Sequence, residues 1–243
     1  MTKIFGHRGA AGTYPENTMA SFQAAIEAGA DGIELDVQMT RDGELVVIHD
    51  ESVERTTNST GFIKDFLYRD LQAVDACYKF KQFKGKTKIP TLDEVFSWAE
   101  HSGGFLVNVE LKNTLFPYEG IEEKVIQLIY RYNLSERVII SSFNHYSLVK
   151  CHQITKDIEK AILYMEGLYE PWNYAKTVGA LSLHPKYTSA PPHSVTLAQN
   201  NGIEVRPFTI NKVEVMKQYI SCGCGGIITD YPEKAVKILS KYN

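Results

Sequence analysis

The sequence predicts an α/β protein, and three observations lead there. Eight short apolar runs recur along the chain: KIFGH, GIELDVQ, FLVNVEL, RVIISSF, KAILYM, ALSLH, IEVRPFTI and GIITD. Most are followed by a stretch whose apolar residues fall at helical spacing. The length, 243 residues, suits one barrel of this kind. Alternating strands and helices imply a parallel sheet, and eight strands close a TIM (β/α)8 barrel more readily than they make an open doubly wound sheet. Residues 1–243 are therefore expected to form a single TIM-barrel domain.

The elements follow in order. The first strand runs into GHRGAAGTYPENT, a glycine-rich loop that carries His7 and Arg8. An arginine beside glycines suits a phosphate, and a histidine suits proton transfer. A helix follows Pro15 and stops at Gly29. The second strand, GIELDVQMT, is followed by RDGELVVIHD. Asp42-Gly43 between two apolar runs signals a hairpin, so ELVVIHD returns antiparallel along the second strand. With a two-residue turn His49 lies opposite Asp36, and a three-residue turn shifts the alignment by one. Residues 51–90 break the alternation and read as a small insertion after the second strand, with DFLYRDLQAVDACY helical and KQFKGKTKIP loop-like. Thr91 or Asp93 is expected to cap a helix ending at Gly103. EGIEEKVIQLIYRYN places Ile121, Val125, Leu128, Ile129 and Tyr132 on one face. YSLVKCHQIT, SVTLAQNNG, VEVMKQYISCG and EKAVKILSKY supply later helices.

Bulk properties narrow the function classes. Hydrophobic residues make up 44% and charged residues 23%, an ordinary globular balance. A net charge of −3 gives no electrostatic footprint for nucleic acid. No run is long and apolar enough to span a membrane, and MTKIFGHRG lacks the apolar core of a secretory signal, so a cytoplasmic protein without stable membrane insertion is expected. Cys77, Cys151, Cys222 and Cys224 fit no common zinc spacing and read as reduced thiols.

Strand alternation locates the chemistry. In GIELDVQ, Ile33, Leu35 and Val37 take the helix-facing side, which turns Glu34, Asp36 and Gln38 inward. In LVNVELK, Val107, Val109 and Leu111 face out, while Asn108, Glu110 and Lys112 face in. Both sets lie late in their strands, at the end where such barrels place active sites. Three acids converging in one interior need a positive partner. All offer oxygen, so a divalent cation, Mg2+ or Ca2+, is favoured over Zn2+. Ion pairs with Arg8, Lys112 or Arg206 are the alternative. His101, His145, His152 and His193 read as surface, capping or packing residues, and Asp230 either faces the mouth or caps the last helix. Tyr14 either contacts substrate or covers the glycine-rich loop, the second being favoured.

The stretch HRGAAGTYPENTMASFQAAIEAGADGIELDVQMTRDGELVVIHD resembles the signature of the glycerophosphodiester phosphodiesterase family. IPTLDEVF, NVELK, SSFN and GIITDYP agree with it in order, so the resemblance runs from His7 to Pro232. It implies a TIM barrel with an insertion after the second strand. It also implies metal-dependent hydrolysis of glycerophosphodiesters, small-molecule substrates, to glycerol 3-phosphate and an alcohol. His7 and His49 match the family's catalytic histidines, and Glu34, Asp36 and Glu110 its metal ligands. Arg8 and Lys112 match residues near the phosphate, and Glu16 and Asn17 a supporting pair. Phe208 stands where the family more often has Trp, which implies an aromatic wall tuned for the leaving group. His184, Lys186 and Tyr187 are candidates to face the glycerol. A lysophospholipase D on the same scaffold is the alternative, with FLYRDL, YKFKQF and LYEPWNY as an apolar entry. A non-catalytic phosphodiester-binding barrel is a further one.

Overall fold

The computed structural model describes residues 1–77 and 80–242. Its strands are β1 (Lys3–Gly6), β2 (Gly32–Met39), β3 (Leu45–Val47), β4 (Leu106–Leu111), β5 (Val138–Ser142), β6 (Glu159–Tyr164), β7 (Ser182–Pro185), β8 (Glu204–Val205) and β9 (Gly226–Thr229). The helices are α1 (Met19–Glu27), α2 (Tyr68–Leu71), α3 (Leu92–His101), α4 (Ile121–Arg131), α5 (His145–Ile154), α6 (Pro171–Val178), α7 (Pro192–Asn200), α8 (Val213–Ser221) and α9 (Pro232–Leu239).

The parallel strands run in the order β8-β7-β6-β5-β4-β2-β1-β9, with β3 pairing antiparallel on β2. The two ends meet where Ile228 N donates to Pro207 O at 3.0 Å and Ile210 N donates to Ile228 O at 2.9 Å. All eight parallel strands coincide with the apolar runs, and the chain is a TIM barrel. The strand faces divide as alternation requires. Ile33, Leu35, Val37, Val107, Val109 and Leu111 are buried in the layer shared with the helices. Inside the barrel, Phe5, Ile139, Ala161 and Ile228 form a separate apolar plug.

Local sequence explains several element ends. Thr18 and Ser21 form a reciprocal capping box at α1, and Thr91 and Glu94 form another at α3. In α4, Ile121, Val125 and Ile129 are buried, with Glu122 and Glu123 in the first turn and Arg131 in the last, charges that suit the helix dipole.

Three features depart from the sequence reading. Val37 pairs with Val47 and Met39 with Leu45, so the hairpin has a three-residue turn, Gly43 at φ +83° filling its left-handed position. Ile48, not His49, therefore falls beside Asp36, and its N–H donates to Asp36 O at 3.0 Å. The expected helix DFLYRDLQAVDACY is helical only over Tyr68–Leu71, and its last residue, Tyr78, lies outside the described residues. Val74 and Ala76 instead go, at extended spacing, into a small core with Val46, Ile48, Val53, Ile63, Leu71 and Ile89. Ala76 N bonds Thr87 O there, so tertiary burial overrides local helical preference. Finally, α6 was not expected, because its sequence PWNYAKTV presents few apolar residues at helical spacing. Pro171 at its first turn and Gly179 at φ +79° past its end bound it.

Candidate active site

The carboxyl-terminal ends of β1, β2, β4, β5, β6 and β9 open into a cavity of about 320 Å3. Glu34, Asp36 and Glu110 meet at its floor, all buried, with ligand-capable oxygens within 4.8 Å of one another. Strand register produces this meeting, because Asp36 lies directly across from Glu110 in the β2–β4 ladder. Two cations partly compensate the cluster. Arg8 Nε lies 3.3 Å from Asp36 Oδ2, and Lys112 Nζ donates to Glu110 Oε1 at 2.9 Å. Arg8 N donates to Glu34 Oε2, and Asn17 Nδ2 donates to Asp36 Oδ2, both at 2.8 Å. Burial and the charges of Asp36 and Glu110 push Glu34 well above the ordinary carboxyl range. Burial also disfavours the Asp36 carboxylate, but Arg8, His49, Lys112 and Asn17 outweigh it and hold Asp36 below that range. Asp36 Oδ1 and Asn108 Oδ1 are buried with no hydrogen-bond partner. Three carboxylates, one still short of positive charge, and two orphaned oxygens form a donor set that fits a hard divalent cation.

The two histidines are held alike. His7 Nδ1 lies 2.6 Å from Asp230 Oδ1, and Asp230 Oδ2 accepts from Asn211 Nδ2 at 2.5 Å. His49 Nδ1 lies 2.6 Å from Asp50 Oδ1. Against an ionised carboxylate the Nδ1 atom carries the proton, which leaves Nε2 of each ring for chemistry. On the other side of the His49 ring, Lys112 Nζ donates to Nε2 at 3.2 Å, so that nitrogen is an acceptor here. Burial raises the Asp230 carboxyl, but the His7 and Asn211 hydrogen bonds and the Arg8 charge reverse this and leave it below its ordinary value. The hydrogen bond to His49 and those to Arg55 hold Asp50 well below the ordinary range.

The other half of the cavity is apolar: Phe143, Leu163, Met165, Phe208 and Ile228 line it. The Phe143 and Phe208 rings meet edge to face at 6.1 Å. A phosphodiester placed here would meet cations and histidines on one side and an apolar wall on the other.

The model of the glycerophosphoryl diester phosphodiesterase family matches residues 7–234. The chain belongs to this family. A glycerophosphodiester phosphodiesterase from Caldanaerobacter subterraneus is 48% identical over 99% of this chain and 98% of its own length. A lysophospholipase D from Homo sapiens is 27% identical, covering 100% of this chain and 88% of its own. The structure of a phosphodiesterase from Oleispira antarctica in complex with the product sn-glycerol-3-phosphate superposes with a TM-score of 0.89 at 27% identity. The match covers 99% of this chain and 97% of that one.

In this member of the family, His7, Arg8, Glu34, His49, Glu110 and Phe208 all line the cavity, with Asp36 and Lys112 bonded directly to those that do. The acids pair with Arg8 and Lys112, whereas Arg206 bonds Glu159 and Glu204 lower in the barrel. His184 does not line the cavity. It is fully buried, 3.4 Å from Arg206 Nη1, and Lys186 and Tyr187 do not line the cavity either. His101 bonds the Ser97 carbonyl in the last turn of α3, as a surface residue would. Sequence reasoning missed Asp50, Arg55, Asn211 and Phe143. Asp50 adjoins His49 in the motif IHD and Phe143 lies in SSFN, signals that were present; Arg55 and Asn211 carry no local mark of function.

Proposed function

We propose that the protein hydrolyses glycerophosphodiesters to glycerol 3-phosphate and an alcohol, with His7 and His49 as the acid–base pair. The observation that carries this reading is the matched pair of histidines, each with Nδ1 on a carboxylate, facing a carboxylate cluster across one cavity. Family membership and the product-bound neighbour from Oleispira antarctica support the substrate class.

Glu34, Asp36 and Glu110 would hold the cation, Mg2+ or Ca2+, which when bound supplies charge neutralisation at a phosphoryl oxygen. Arg8 is engaged by Glu16 through Nη1 and lies against Asp36 through Nε. Its Nη2 makes no hydrogen bond among the described residues and is the end left for a phosphate oxygen. Lys112 adds a point charge beside His49. His7 Nε2 takes the proton of the attacking oxygen, either water or the neighbouring glycerol hydroxyl, and Asp230 stabilises the imidazolium that results. His49 enters this step protonated at Nε2 as well, with Lys112 Nζ turned from that nitrogen toward the phosphate, and gives that proton to the departing alkoxide. Phe143, Leu163, Met165 and Phe208 receive the alcohol portion. The protein acts here on a small molecule in the cytoplasm, and residues 51–90 act as an insertion of the single barrel domain.

The same apolar wall favours a second reading, a lysophospholipase D. Met165, which lines this wall, is itself exposed and gives an acyl chain a route outward. Of the aromatic segments expected to serve as entry, Tyr78 and Lys79 of YKFKQF lie outside the described residues.

Release of glycerol 3-phosphate from glycerophosphocholine, compared with turnover of lysophosphatidylcholine, tests both readings. Activity is expected to vanish with EDTA, return with Mg2+ or Ca2+, and be lost in His7→Ala. Full activity after complete chelation would remove the role given to the three carboxylates.

A further inference from the structure

No described residue of the insertion 51–90 lines the cavity, yet Arg55 reaches toward both of its walls. Arg55 binds two carboxylates with all three of its nitrogens. Nε donates to Asp50 Oδ2 at 2.6 Å and Nη2 to Asp50 Oδ1 at 3.1 Å. Nη1 donates to Glu16 Oε2 at 2.8 Å and Nη2 to Glu16 Oε1 at 2.7 Å. Asp50 then holds His49 Nδ1 at 2.6 Å, and Glu16 holds Arg8 Nη1 at 2.8 Å. A continuous chain of charged hydrogen bonds therefore runs from a candidate proton-transfer group to a candidate phosphate-binding group, with Arg55 as its centre.

We infer that Arg55 is a positioning residue: through Asp50 it fixes the ring of His49, and through Glu16 it fixes the reach of Arg8, so the insertion serves the reaction without touching substrate. This rests on the phosphodiesterase reading above. A purely structural staple explains the arrangement less well. The insertion already has its own apolar core on β3, formed by Val46, Ile48, Val53, Ile63, Leu71, Val74, Ala76 and Ile89. The Arg55 side chain is 37% exposed, and ion pairs at that exposure add little to stability. What the planar guanidinium adds is direction. Its fork holds two carboxylates at a fixed mutual angle, which the single point charge of a lysine does not. Asp50 donates nothing and has its two oxygens shared between His49 and Arg55, so its rotamer, and with it the tilt of His49, is set by Arg55.

The test compares Arg55→Gln, Arg55→Lys, Asp50→Asn and the double variant Arg55→Gln/Asp50→Asn with the wild type on glycerophosphocholine. Positioning groups of this kind change activity on the order of 10–100-fold. Arg55→Gln is expected to lose kcat on that scale and to raise KM through Arg8, with little change in melting temperature. Arg55→Lys recovers part of kcat. The double variant falls about as far as its worse parent, since both changes act on His49. A kcat within about threefold of wild type, or losses that multiply in the double variant, overturns the inference. A second readout does not need turnover: the His49 Nδ1–H resonance is expected to move or broaden in Arg55→Gln while that of His7 stays in place. An unmoved His49 signal also overturns it. If the wild type hydrolyses no glycerophosphodiester, the reaction is misread, and the resonance still decides the positioning.

Discussion

Asp230 reaches His7 from 223 residues away in the chain, and its other oxygen is held by Asn211 from the loop after β8. Such a carboxylate keeps the imidazole in one tautomer and stabilises the charge that develops when Nε2 takes a proton. Asp230→Asn preserves the shape and removes the charge. Steady-state kinetics is expected to give a kcat lower by at least about 10–100-fold, the range for groups that orient a reacting residue, with KM nearly unchanged. An equal rise in KM with constant kcat would assign Asp230 to substrate binding instead. Asp50 couples the same scale of structure to pH. Its carboxyl is held below the ordinary value first by the hydrogen bond from His49 and then, against burial, by Arg55. A depressed carboxyl contributes stability that is complete above the unfolded value of ~3.9 and is lost as pH falls through the folded value. The melting-temperature gap between wild type and Asp50→Asn is therefore expected to be constant near neutrality and to close in strong acid. A gap that widens on acidification would contradict the sign.

Between residue and molecule, α1 is the element that fixes the loop carrying His7 and Arg8. Ser21 Oγ donates to Arg8 O at 2.9 Å, and Ala10 N donates to Ser21 O at 3.0 Å. Gly9 permits this approach: it sits at φ +80°, and a Cβ there would lie 2.5 Å from the Ser21 backbone. Gly9→Ala is expected to cost roughly 2–6 kcal/mol, since strained backbone and overpacking each cost about 1–3 kcal/mol. The check is the urea midpoint, and a change below about 0.5 kcal/mol would mean that α1 retreats freely. This scale also shows what the sequence could and could not announce. Period-two alternation exposed Glu34, Asp36 and Glu110, because a buried strand that interrupts its apolar face with acids has few structural reasons to do so. The hairpin at Asp42-Gly43 was visible, but not its length, since one residue of register depends on how Thr40 and Glu44 close the turn. The insertion misled because residues 65–78 have helical composition, while Val74 and Ala76 are claimed by a core assembled from distant segments. Asp230 and Asn211 stayed ambiguous for a related reason. Only the closing of β9 against β1 brings them to His7.

Across the whole molecule, the barrel interior stacks two polar tiers around the apolar plug of Phe5, Ile139, Ala161 and Ile228. The upper tier is the carboxylate cluster. In the lower tier Arg206 bonds Glu159 at 2.5 Å and Glu204 at 2.7 Å, with His184 beside it at 3.4 Å. His184 is fully buried, and its Nδ1 has no hydrogen-bond partner. Burial first, and then the Arg206 charge, holds it well below the ordinary histidine value, so it stays neutral and accepts through Nε2. The unfolded chain is free to bind a proton there once pH falls below ~6.5, and the native barrel is not. Stability from this site is therefore complete above that pH and declines below it, by up to ~1.4 kcal/mol per pH unit until the folded value is reached. Against a total of about 5–15 kcal/mol, one or two units of acidification matter to the whole fold. His184→Gln keeps an acceptor near Arg206 and cannot take up the proton. Urea unfolding at pH 7.5, 6.5 and 5.5 is expected to show a shallower loss in the variant, with the two proteins converging toward low pH. Parallel lines across that range would mean that the lower tier carries no part of the acid sensitivity.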